Sequence, residues 1–231
     1  MLRSLFDGGL PAFIVFDLDG TLVDSVPDLS WAIDQMLLER SLSPAGEQCV
    51  RQWVGNGAAK LVHRALAYGY GIQEEGLREP LHKPSEALIR FKHFYGQHYC
   101  HQTCLYPCVE EVLAKLCDLA IPMALVTNKP KEYARPILET LKIDAYFEQV
   151  LGGECLPKRK PDPLPLLHVL KAYNFEPETC LMVGDSKSDV LAARAAGFKV
   201  AALSYGYNHG EPIANMKPDL MMDNLSELFR V

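Results

Sequence analysis

Phe13-Ile14-Val15-Phe16-Asp17-Leu18-Asp19-Gly20-Thr21 carries the decision about the fold: an unbroken apolar run stops at two carboxylates one residue apart. A strand wetted on one face alternates apolar and polar positions, so a run that is apolar at every position indicates a strand covered on both faces, as in a parallel sheet. Similar runs occur at residues 12–16, 121–126, 180–183 and 200–203, with a weaker one at 147–151. Segments with helical character lie around and between them, at 109–119, 132–141, 164–172 and 188–196. Apolar strands alternating with helices of this length predict an α/β fold, with a doubly wound, Rossmann-like parallel-sheet core.

In such sheets ligands bind beyond the carboxyl ends of the strands. The runs here end in Asp17-Leu18-Asp19, in Thr127-Asn128-Lys129 and in Gly184-Asp185-Ser186, and Lys158-Arg159-Lys160 follows the weaker strand. Asp19 and Thr127 are more than a hundred positions apart, whereas a βαβ unit takes roughly 30 residues. The surplus contains helical periodicity around 29–38, 58–67 and 86–95 and no convincing strand. The expected organisation is therefore a discontinuous core of residues 1–25 and 100–231 with an inserted all-helical cap domain at 26–99, placed as a lid over the strand ends.

Bulk properties exclude some classes of function. The 231 residues are 48% apolar, enough for a sizeable core, and the net charge of −6 argues against nucleic acid or an anionic membrane as partner. The longest apolar runs fall far short of the ~20 residues of a membrane span. No small-residue cleavage site follows the first apolar run, and seven cysteines form an odd set, so reduced thiols and a cytoplasmic location are expected. The expected assembly is a monomer or homodimer.

Two neighbouring aspartates repel, and adding Asp185 to them is costly without a cation. Oxygen donors without His or Cys at these strand ends indicate a hard ion, Mg²⁺, with Asp17, Asp19, Asp185 and Asp189 as the candidate ligands. Asp189 lies one helical turn beyond Asp185, positioned to hold the ion's waters. Thr127, Asn128 and Lys160 suit a phosphate, and backbone N–H groups at Leu18 and Gly20 offer it a cradle. Phosphoryl transfer needs position and charge neutralisation, which this inventory supplies.

Four segments, Asp17-Leu18-Asp19-Gly20-Thr21-Leu22, Thr127-Asn128, Lys160-Pro161 and Gly184-Asp185-Ser186-Lys187-Ser188-Asp189, resemble in order the motifs of the haloacid dehalogenase-like phosphatases. The helical insertion resembles the first cap type of that family. Val23-Asp24-Ser25-Val26-Pro27-Asp28, Trp53-Val54-Gly55-Asn56-Gly57-Ala58, Leu125-Val126-Thr127-Asn128-Lys129-Pro130 and Tyr205-Gly206-Tyr207-Asn208 are similar to its bacterial phosphoglycolate phosphatase branch. The resemblance implies hydrolysis of a small phosphomonoester, 2-phosphoglycolate first among them, with sugar phosphomutase, nucleotidase or pyrophosphatase chemistry as the alternatives. It implies Asp17 as nucleophile and Asp19 as acid and base. Asp17, the Asp19 carbonyl and Asp185 would hold Mg²⁺, Thr127 and Lys160 the phosphoryl oxygens, and Thr21 would orient Asp19. Arg51 and the turn Gly55-Asn56-Gly57 are the cap residues expected to select the leaving group, since a glycine turn at a helix start admits a carboxylate.

Other features have plainer readings. Cys100, Cys104 and Cys108 lack the paired CxxC spacing of a zinc knuckle and read as ordinary thiols. His63, His82, His93, His168 and His209 show no partners in sequence. Trp31, Ile33 and Met36 read as a helix packing stripe, Lys60 as a solvated lysine, and Lys158 as a weaker phosphate candidate than Lys160.

Overall fold

The computed structural model describes residues 1–76 and 85–230; His82 lies outside them. The strands are β1 (Phe13–Phe16), β2 (Val23–Asp24), β3 (Cys104–Leu105), β4 (Met123–Val126), β5 (Gln149–Leu151), β6 (Cys180–Gly184), β7 (Lys199–Leu203) and β8 (Leu220–Met222). Six of them form one parallel sheet in the order β5-β4-β1-β6-β7-β8. The chain leaves β1 toward β4 and β5, then returns to the far side of β1 with β6. The topological switch, where such sheets bind ligands, therefore falls between β1 and β6.

Alternation within each strand supplies both faces. Ile14, Phe16, Met123, Leu125, Leu181 and Val183 enter one apolar cluster, packed by α6 (Val109–Asp118) and α7 (Lys131–Thr140). Phe13, Val15, Ala124, Val126, Cys180 and Met182 enter the other, packed by α8 (Leu164–Leu170) and α9 (Lys187–Ala196). Continuous apolarity in the sequence thus corresponds to helices on both sides. A short helix, α1 (Leu2–Leu5), precedes β1 and buries Leu2 in the first cluster.

Between β2 and β3 the chain forms α2 (Val26–Glu39), α3 (Gly46–Trp53), α4 (Ala58–Gly69) and α5 (Glu86–His98). Val26, Ile33, Met36, Leu61, Leu66 and Phe91 are among the residues of a third apolar cluster belonging to this helical layer. Periodicity indicated three of these helices but not α3. The two-residue strands β2 and β3 pair antiparallel at the base of the layer, Asp24 opposite Cys104. Cys104 is thus part of a ladder, and among the described residues no cysteine joins a cluster of metal-ligand type. Ile33 and Met36 are fully buried, while Trp31 stacks on His98 with ring centroids 4.0 Å apart. Lys60 pairs with Glu74 at 3.1 Å, as a solvated lysine does.

Candidate active site

Strand register places the first acidic residues. Phe16 pairs with Val183, and the Asp17 N–H donates to the Val183 carbonyl at 3.0 Å, so Asp17 and Asp185 emerge beside each other at the switch point. Asp189 arrives from the first turn of α9. Its Oδ2 accepts from Ser186 N–H (3.0 Å), Ser186 Oγ (2.7 Å) and Asp185 N–H (3.2 Å), a helix-capping role. That leaves Oδ1 free to point into the cluster. Carboxylate oxygens of Asp17, Asp185 and Asp189 lie within 4.8 Å of one another.

Lys160 is the counter-charge. It is only 2% exposed, and its ammonium lies 3.0 Å from Asp17 Oδ1 and 2.7 Å from Asp189 Oδ1. Both contacts have ion-pair distance without hydrogen-bond alignment, so among the described residues the ammonium and Asp189 Oδ1 remain buried without directed partners. Lys158 is exposed and paired with Asp162 at 2.9 Å, apart from the cluster. Burial, with Asp189 adding repulsion and Lys160 opposing, raises the Asp17 carboxyl to about 7. Burial and then the charges of Asp189 and Asp17 push Asp185 well above the usual carboxylate range. Three clustered carboxylates with one ammonium, which meets Asp17 and Asp189, are under-neutralised, and an all-oxygen set of this kind suits a hard divalent cation.

Glycine makes this approach possible. A Cβ on Gly206 would stand 2.2 Å from Asp185 Cβ, and one on Gly20, whose φ is 85°, would stand 2.2 Å from Asp185 Oδ2. Both positions require the absence of a side chain.

Several expected roles change in the fold. Thr21 does not hold Asp19; its hydroxyl donates to Asp185 Oδ1 at 2.7 Å. The carboxylate of Asp19 instead accepts from Ser25 Oγ (2.6 Å) and from Lys129 Nζ (3.0 and 3.1 Å), away from the acidic cluster. Only its backbone carbonyl is left for a ligand role. The expected backbone cradle is engaged as well, because the Leu18 N–H donates to Asp17 Oδ1 and the Gly20 N–H to the Val23 carbonyl in closing the tight loop onto β2. Arg51 is drawn off by Asp24, 2.9 Å away, and lies over the Tyr207 ring, so it does not line the cavity described next.

That cavity lies between the strand ends and the helical layer. Asp17, Asp19, Thr127, Asn128 and Lys129 line it from below, and Gly55, Gly57, Leu61, Phe91 and Tyr95 from above. Asn56, between the two glycines, is not part of the wall. Asn128 ties the halves together, its amide donating to the carbonyls of Gly55 (3.2 Å) and Lys160 (3.0 Å). Gly57, with φ of 85°, admits the Arg159 guanidinium, 2.4 Å from where a Cβ would be. Lys129 stands in the polar triplet at the strand end and in the resembling segment, yet sequence reasoning assigned it no role of its own. It followed Thr127 and Asn128 in plain view, but only tertiary packing aims it at Asp19.

Residues 14–203 match the family model described as haloacid dehalogenase-like hydrolase. The chain belongs to the haloacid dehalogenase-like hydrolases. Similar curated proteins of this family include the phosphoglycolate phosphatase of Pseudomonas fluorescens and phosphoglycolate phosphatase 1 of Pseudomonas aeruginosa. Each is 49% identical over 98% of this chain and 81% of its own length. Among solved structures, a protein of Haemophilus somnus described as a predicted phosphoglycolate phosphatase superposes with a TM-score of 0.88 at 38% identity. That match covers 96% of this chain and 99% of the other. The haloacid dehalogenase-like fold therefore extends over nearly the whole chain, helical layer included.

Proposed function

We propose that the protein is a Mg²⁺-dependent phosphomonoester hydrolase that works through an aspartyl-phosphate, with 2-phosphoglycolate as the substrate and glycolate and phosphate as products. The observation that carries this reading is the convergence of Asp17, Asp185 and Asp189 at the switch point, with Lys160 against Asp17 and Asp189 and a cavity that Asp17 lines beside them. The names of the relatives favour the substrate.

In this reading an Asp17 oxygen attacks phosphorus, and the bond from phosphorus to the ester oxygen breaks. Asp19 gives its proton to the departing alkoxide and then takes one from the water that cleaves the acyl phosphate, so the protons balance over one turnover. Lys160 and Thr127 hold phosphoryl oxygens. Asp17, Asp185 and the Asp19 carbonyl would hold Mg²⁺, with Asp189 reaching it through water. The ion's part is to neutralise charge so that a carboxylate can approach a phosphate dianion.

We read residues 26–99 as a cap over the core of 1–25 and 100–231, which excludes bulk water from the intermediate. A soluble enzyme acting in the cytoplasm on a small metabolite fits the sequence. Asp17→Asn should lower phosphate release from 2-phosphoglycolate on the order of a thousandfold or more while leaving the circular dichroism spectrum intact. Turnover within tenfold of the parent protein would remove Asp17 as nucleophile.

A further inference from the structure

Resting on that reading, we propose that Lys129 and Tyr95 form the subsite that receives the carboxylate of the leaving group and so select phosphorylated acids over phosphorylated alcohols. Away from the acidic cluster the cavity wall is largely apolar, with Leu29, Val54, Leu61 and Phe91 in it. Among the described residues lining it, Lys129 is the one cation. Its side chain is 3% exposed, and its ammonium lies 4.9 Å from the centroid of the Tyr95 ring. Tyr95, 2% exposed, lines the same wall next to Lys129, and among the described residues its hydroxyl has no aligned hydrogen-bond partner.

A buried ammonium and a buried hydroxyl without a partner are both costly to keep unless something binds them. Among the carboxylates of the described residues the ammonium pairs with Asp19 alone. Asp19 must turn to the ester oxygen during the reaction, and a carboxylate on the leaving group then takes over the ammonium and meets the Tyr95 hydroxyl. This arrangement couples substrate charge to the release of Asp19. It also disfavours sugars, whose hydroxyls would be left unpaired against Leu61 and Phe91, and so weighs against a phosphomutase. Arg51, tied to Asp24, does not compete for the role.

The test compares 2-phosphoglycolate with 2-hydroxyethyl phosphate, its uncharged counterpart, by the ratio of their kcat/KM values. A ratio insulates the result from losses common to both substrates. Lys129→Met should reduce it at least about tenfold, the scale of one desolvated charge contact, and Lys129→Arg should recover part of the loss. Tyr95→Phe should reduce it about threefold. If Lys129→Met slows both esters equally, Lys129 serves only to hold Asp19 and the subsite is overturned. Should that variant fail to fold, Tyr95→Phe decides, and an unchanged ratio counts against the proposal. Parent enzyme that cleaves both esters with similar efficiency overturns the subsite while leaving the hydrolase reading in place. Parent enzyme that cleaves neither removes the proposed function and the subsite with it.

Discussion

A single hydroxyl illustrates how much of the site is fixed by groups that touch no substrate. Thr21 is fully buried and donates to Asp185 Oδ1 at 2.7 Å, while the Tyr207 N–H donates to the other oxygen. Both carboxylate oxygens are thereby oriented, and partners of this kind typically set metal affinity by 10–100-fold. Thr21→Val keeps the volume and removes the donor. Titration of the apoprotein with Mg²⁺ by calorimetry should then show affinity weakened by roughly tenfold or more. Affinity unchanged within about twofold would mean that the Tyr207 N–H suffices. Asp17 and Asp185 were legible because each follows an apolar run, and Lys160 because it directly precedes Pro161 in a segment that resembles the family's motif. The sequence did not reveal which acid Thr21 serves, since that depends on β1 pairing with β6 across 164 positions. It named Thr127 and Asn128 and gave Lys129 no role, because the direction of each side chain is a tertiary matter: Asn128 reaches the Gly55 and Lys160 carbonyls, while Lys129 reaches Asp19 under the Tyr95 ring.

At the scale of elements, the sheet strands of the core were readable because apolarity on both faces is a strong signal, and the short pieces were not. A two-residue strand such as β2 or β3 has no periodicity to detect, and β8 (Leu220–Met222) is only half covered. Yet β2 and β3 define where the helical layer leaves and rejoins the core, and a neighbouring residue secures that junction. Asp28, in the first turn of α2, is fully buried and accepts from the N–H groups of Gln102 (3.0 Å) and Thr103 (2.8 Å) and from Thr103 Oγ1 (2.7 Å). It binds the outgoing chain to the returning one. Asp28→Ala leaves these buried donors without an acceptor, at a cost of about 1–3 kcal/mol for each group not reached by water. Urea denaturation should register a loss on the order of 3 kcal/mol. A loss below about 0.5 kcal/mol would show that water replaces the carboxylate and that the junction is held by the ladder alone.

For the molecule as a whole, the acidic cluster makes stability depend on pH in an unusual direction. An ordinary carboxylate paired in the native state stabilises a protein as pH rises above its unfolded value. Asp17 does the reverse: its carboxyl is raised from 3.8 to about 7 by burial, and Asp185 is raised in the same sense. Below about pH 4 both the native and the unfolded carboxyls hold their protons, and the native environment carries no penalty. Between that point and about 7 the unfolded chain has released protons that the folded chain retains, so the unfolded state gains relative stability with every step upward. Lys160 does not offset this, because a lysine whose native value is raised loses its contribution only in the alkaline range. Metal-free protein should therefore melt at lower temperature at pH 8 than at pH 5. A fall of about 5 °C corresponds to ~2 kcal/mol in a chain of this length. Mg²⁺ should restore the melting temperature at pH 8, where the carboxylates are ionised, and have little effect at pH 5, because binding then competes with protons. Calorimetric scans at the two pH values, with chelator and with Mg²⁺, measure all four states. Asp185→Asn, which removes one of the three charges, should flatten the pH dependence. A melting temperature that rises from pH 5 to pH 8 in chelator, or an equal response to Mg²⁺ at both, would show that these carboxylates carry no shared strain, and the electrostatic case for a divalent ion between β1 and β6 would fail with it.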